Sequence, residues 1–237
     1  MSNRQSNIIF YFVIFLFICA MYVNHSHPDV FNVFTKSTEE VLVKEAIENG
    51  EYEKAIAHYQ KLVAENIDDD NDNEISIQTA DIYEEIAQAY FLLGNQQREQ
   101  TYYVKSLGIK KQLPKINIHT LANTYSKLGN LAEENKQYDQ AQRYYEQALS
   151  TRLGDITEVS EDVKKGMFLE LQQTRLIYLR SNHRDTIVTY KDLGNIHRIK
   201  QEHSISREYY QRALAASINT FGEEDSKTIE IKGLITP

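Results

Sequence analysis

The chain has 237 residues with only three prolines and nine glycines, enough for one ordinary domain or a short repeat array and too few turn-formers for a loop-rich or all-β fold. A formal net charge of −8 argues against binding to a phosphate backbone, so nucleic acid is not an expected partner. The single cysteine, Cys19, excludes an internal disulfide framework and a cysteine-based zinc site.

After a tail at 1–7 comes the most apolar stretch, Ile8–Val23, with the sequence IIFYFVIFLFICAMYV. Its eleven Phe, Ile, Leu and Val residues favour membrane insertion by about 3 to 7 kcal/mol. As a helix it would span roughly 24 Å, a little short of a ~30 Å hydrocarbon core, with Tyr11 and Tyr22 placed as interfacial aromatics. This predicts an uncleaved anchor at 8–23 and a tether at 24–34. A cleaved signal is the alternative, although Ile18-x-Ala20 is a poor small-x-small site. Ile18 before Cys19 also departs from the small residue that lipid attachment requires. Arg4 precedes the segment, and Asp29 and Lys36 follow it. That bias puts the N-terminus in the cytoplasm and the rest on the non-cytoplasmic side of the membrane; after cleavage the chain would instead be secreted or periplasmic.

From residue 35 the apolar residues recur with helical spacing in paired runs. The first pair, 35–67, sets Leu42, Val43 and Ala46 against Tyr52, Ala55, Tyr59, Leu62 and Val63 across a turn at Asn49-Gly50. The second, 76–112, sets Tyr83, Ile86, Ala87 and Tyr90 against Tyr103, Ser106 and Leu107 across Gly94-Asn95. Gln96 and Glu99 stand where the other units have Tyr and Ala, which predicts looser packing of that helix. The third, 118–153, is the clearest: Tyr125, Leu128, Gly129 and Ala132, a polar turn at Asn135–Gln137, then Tyr138, Ala141, Tyr145, Ala148 and Leu149. The fourth, 185–220, carries Tyr190, Leu193, Gly194 and His197, then His203, Ser206, Tyr210, Ala213 and Leu214. His197 and His203 are expected as packed core histidines. Tyr59, Tyr103, Tyr145 and Tyr210 mark intervals of 44, 42 and 65 residues. The long interval holds an inserted helix or a degenerate repeat at 159–181. Residues 226–237 are expected to cap the last apolar face incompletely, leaving a surface for homo-oligomer formation.

The run YSKLGNLAEENKQYDQAQRYYEQAL, Tyr125–Leu149, resembles a tetratricopeptide repeat at every signature position except the opening Trp, here Tyr125, and the turn Gly, here Lys136. The interval of about 42 residues, with links such as FGEEDSKT at Phe221–Thr228, resembles the kinesin-light-chain subtype across residues 35–228. The resemblance implies an all-α fold: a right-handed superhelix of helical hairpins behind the N-terminal transmembrane or signal helix. It also implies a protein partner whose peptide segment lies in a groove lined by the first helix of each unit. By register the groove residues are Asn123, Ser126, Asn130 and Glu133 in the third unit, Lys191, Asn195 and Arg198 in the fourth, and Glu84, Gln88 and Phe91 in the second. Asn130 and Asn195 both follow Leu-Gly, a position that in this family often bonds a bound peptide's backbone. An amide supplies a donor and an acceptor together, so it can satisfy a peptide unit without selecting a side chain. Lys191, Asn195 and Arg198 are also similar to part of the family's carboxylate clamp for chaperone tails, but matching cations are missing elsewhere apart from Lys44.

Nothing else in the chain carries chemistry strongly. Asp68, Asp70 and Asp72 have the spacing of a calcium loop, but Asn73 replaces its turn Gly and Thr79 its bidentate Glu, so a solvated link is expected. The seven histidines are not expected to cluster, and His25-x-His27 lacks a third ligand. No catalytic motif is present, so no catalytic residue, metal or cofactor is expected.

Overall fold

A computed structural model describes residues 28–69, 76–113, 117–154 and 180–235. The anchor segment at 8–23, most of the acidic run and nearly all of 159–181 lie outside the described residues. Among those described there are nine helices and no strand: α1 Pro28–Glu48, α2 Tyr52–Asp69, α3 Ile77–Leu92, α4 Gln96–Lys110, α5 Ile118–Glu134, α6 Tyr138–Leu153, α7 Arg184–Ile199, α8 His203–Phe221 and α9 Ser226–Ile235. None of them is long and apolar enough to cross a membrane.

The chain forms two compact units whose boundary falls at Tyr102/Tyr103, within α4. In the first, α1 pairs with α2 and α2 packs on α3. In the second, α5 pairs with α6, α7 with α8, and α9 covers α8.

The four hairpin turns share one geometry. In each, the residue after the turn donates its amide to a carbonyl five positions back: Glu51 to Ala46, Asn95 to Tyr90, Gln137 to Ala132 and Glu202 to His197, at 2.8–2.9 Å. This is the six-to-one bond of a Schellman end, and it needs a left-handed residue just before it. Gly50 and Gly94 supply that conformation at φ 72° and 69°; Lys136 and Gln201 adopt it too, at 59° and 63°. The missing turn glycine of the third unit therefore leaves the turn intact, at a local strain of roughly 1–2 kcal/mol.

The repeat tyrosines are the pillars of the core. Tyr59, Tyr103, Tyr145 and Tyr210 are all buried. In the second unit two of them lie against glycines: a methyl group at Gly129 would sit 2.6 Å from the Tyr145 ring, and one at Gly194 2.5 Å from the Tyr210 ring. Gly129→Ala and Gly194→Ala gain about 1 kcal/mol of helix propensity but overpack a fixed ring, which costs about 1–3 kcal/mol. Each is expected to lower the urea midpoint, for a net loss of up to about 2 kcal/mol. A midpoint equal to the parent's would mean that the rings move aside freely.

Ala132, Ala141, Tyr145 and Leu149 share one apolar cluster with Ile187, Tyr190 and Leu193. Thus α6 packs directly on α7, and the third hairpin lies against the fourth. On α9, Thr228 and Ile231 are buried, with Ile231 in the same cluster. One expectation needs correcting. His197 is buried and stacked on Tyr209 with Glu202 as partner, but His203, the first residue of α8, is exposed. Glu99 on α4 is itself buried, and Tyr102, next to the expected Tyr103, packs against Tyr83 and Tyr90.

Candidate functional site

Seven positions after each pillar tyrosine stands a polar residue where an apolar one would be expected: Asn66, Lys110, Arg152 and Ser217. All four are buried, and so are four threonines on helices that follow, Thr79, Thr124, Thr189 and Thr228. In the second unit the two sets meet. Lys110 Nζ donates to Thr124 Oγ1 at 3.3 Å, Arg152 Nη1 donates to Thr189 Oγ1 at 2.7 Å, and the Ser217 and Thr228 hydroxyls lie 2.8 Å apart. Thr124 and Thr189 each donate in turn to the carbonyl four residues back, at 3.1 and 2.8 Å. Because each hydroxyl proton goes to its own helix, the oxygen is left to accept, and it fixes the side chain arriving from the preceding hairpin.

The Arg152 lock is the most elaborate. Its guanidinium also donates from Nη1 to Ser126 Oγ at 2.9 Å and from Nη2 to Asn123 Oδ1 at 2.7 Å, while Nε has no partner. Burial pushes its pKa below the usual arginine value, and Asp185 and Asp192 oppose this through their attraction at longer range. Nearby, the Tyr145 hydroxyl lies 2.8 Å from both Asn130 Oδ1 and Glu133 Oε2 and shares its one proton between them. Burial, then the negative charge of Glu133, lifts the Asp192 carboxyl to about 7; Lys191 and Arg152 act in the opposite sense. The junction of α5, α6 and α7 is therefore a polar layer above an apolar floor.

The expected groove residues fall into distinct places. Asn123 and Ser126 hold Arg152, and Asn130 and Glu133 hold Tyr145. Asn195 Oδ1 accepts from the Tyr210 hydroxyl at 2.7 Å, the same bond as at Asn130 one repeat earlier. Lys191 is drawn to α9, where Nζ pairs with Glu230 at 3.1 Å, and Arg198 is exposed. In the first unit Gln88 and Phe91 are exposed on α3 and Glu84 is half-buried. Arg152, Thr189 and Asp192 were missed by register, since none lies on the expected face. The recurring polar residue seven places after the tyrosine was the available signal.

Comparison with known proteins agrees with this geometry. A tetratricopeptide-repeat model matches residues 80–113 and 120–154, and a second model of the same description matches 186–226. Those three stretches are tetratricopeptide repeats. The matched ranges overlie α3–α4, α5–α6 and α7–α8. Among solved structures, the chain is similar to BtubC (BKLC) from P. vanneervenii, with a TM-score of 0.61 and 16% identity over 91% of this chain and 76% of that one. It is similar to the repeats of a putative kinesin light chain from Podosopora anserina, at 0.58 and 13% over 84% and 82%. Aspartyl phosphate phosphatase F from Bacillus subtilis gives 0.55 and 14%, with 84% of this chain against 44% of that one. At these identities the likeness is one of fold. No curated protein matches the sequence.

Proposed function

We propose that this protein is an adaptor with no reaction of its own, held at a membrane by residues 8–23. In this proposal it takes an extended segment of a partner protein along the faces of α5 and α7. Support comes from the repeated tyrosine–asparagine bond: Tyr145 and Tyr210 fix the amides of Asn130 and Asn195 in equivalent settings. With Oδ1 occupied, each amide offers its NH2 group as a donor already oriented for a peptide carbonyl. Little side-chain freedom is then lost on binding. Anchoring adds to this by raising the effective concentration of partners at one surface.

Affinity capture from a membrane extract with the full chain tests the groove. Asn130→Ala combined with Asn195→Ala is expected to abolish partner recovery while far-ultraviolet circular dichroism stays unchanged. Recovery at the parental level would remove the groove from the account. Carbonate extraction of the same membranes should leave the chain in the pellet with its N-terminus intact, whereas a mature chain beginning near Met21 would show a cleaved signal.

A self-assembling scaffold is the second reading. It is favoured by a cavity of about 170 Å³ lined by Ile187, Val188, Phe221 and Ile231, beside an exposed Ile229. Sedimentation that shifts with protein concentration would select it.

A further inference from the structure

We infer that His119, His183 and Asp185 form a binding site for a divalent transition-metal ion of the zinc type. The site joins the start of α5 to the start of α7. His119 is the second residue of α5, His183 caps the N-terminus of α7, and Asp185 is the second residue of α7. Their histidine rings lie 4.8 Å apart, correcting the expectation that the histidines are scattered. One potential ligand atom from each of the three falls within 4.8 Å of the other two.

Two further facts point to a cation. His119 Nδ1 is buried with no hydrogen-bond partner, an orphaned polar atom that metal ligation would satisfy. His183 Nδ1 keeps its lone pair, accepting only a long bond from the Asp185 amide at 3.3 Å, so this nitrogen is the one able to ligate, at the cost of that bond. Two imidazoles and one carboxylate suit a borderline ion with tetrahedral bonds of about 2.0–2.2 Å and a water in the fourth position. They are too few and too nitrogen-rich for calcium or magnesium. The ligand atoms must close somewhat to reach such bonds, which the half-exposed side chains of His183 and Asp185 can do by rotation. Two local features oppose a cation: the positive helix ends, which the Asp185 carboxylate offsets, and Arg152, whose guanidinium is already held by Asn123, Ser126 and Thr189. A bound ion would staple the third repeat to the fourth.

The test titrates ZnCl2 calorimetrically into the full-length chain in detergent after chelator treatment. One saturable site is expected, with Tm rising on addition of Zn2+ and not of Mg2+. His119→Ala, His183→Ala and Asp185→Asn should each weaken that site by at least about tenfold, and His203→Ala, at an exposed histidine of α8, should leave it unchanged. Absence of saturable binding by the parent, or equal affinity in His119→Ala, overturns the site. Should a variant lose helicity, the histidine ring signals of the parent decide by nuclear magnetic resonance. Zn2+ must shift those of His119 and His183, and shifts confined to other histidines overturn the proposal.

Discussion

Arg152→Ala is expected to lower the free energy of unfolding by about 2–4 kcal/mol, read as a lower urea midpoint for the transition of the second unit. The substitution removes three hydrogen bonds at once, those to Asn123, Ser126 and Thr189. Thr189 is buried, so its acceptor oxygen would be stranded away from water, and an unsatisfied buried group costs about 1–3 kcal/mol by itself. The long aliphatic stem also packs at the α6–α7 junction, so the truncation leaves a void there as well. Arg152→Lys separates charge from geometry. It keeps the cation but replaces a planar fork with a point donor that cannot serve oxygens on α5 and α7 together. A loss of about 1–2 kcal/mol is expected for it, between parent and alanine. If Arg152→Ala unfolded at the parental midpoint, the buried guanidinium would be a passenger and the second unit would owe its stacking to apolar contact alone.

How legible the molecule was in its sequence follows from the same residues. Tyr59, Tyr103, Tyr145 and Tyr210 with their small neighbours carry the helical period, so the hairpins and buried pillars could be placed from spacing alone. The turns were legible even without glycine at Lys136 and Gln201, because the apolar pattern on either side dictates where the helix must end. The locks between repeats were not legible. Asn66, Lys110, Arg152 and Ser217 look like solvent residues, and for the last three it is a threonine partner on the next helix that makes them interior. His203 failed for the converse reason. It stands at the N-terminus of α8, where the first turn has no neighbour to cover it, so a core register there does not produce burial. The expected groove residues were assigned by register, but their intramolecular partners are fixed by contacts between helices, which no single-sequence period encodes. The meeting of His119 with His183 is of that kind as well, since it requires α6 to lie directly on α7 across the long link.

Asp192 gives the protein a built-in dependence on pH. Burial, then Glu133, raises its carboxyl to about 7 from an ordinary value of 3.8, despite the attraction of Lys191 and Arg152. A folded-state pKa above the unfolded one means that the native state holds the proton more tightly. The stability contributed by Asp192 is therefore fully present below about pH 4 and is lost as pH rises from there through about 7. The full shift corresponds to at most about 4 kcal/mol, and partial exposure of the side chain reduces this to about 2–3 kcal/mol. Asp192→Asn preserves the shape and removes the ionisation. It should match the parent near pH 4 and exceed it by about 2–3 kcal/mol at pH 8, measured by urea denaturation at each pH. Glu133→Gln removes the second cause of the shift and should move the parental decline to lower pH without abolishing it. A stability difference between Asp192→Asn and the parent that stays constant from pH 4 to pH 8 would show that Asp192 is ionised throughout. In that case the polar layer would be wetter than its burial implies, and the junction of α5, α6 and α7 would carry a full negative charge beside Glu133.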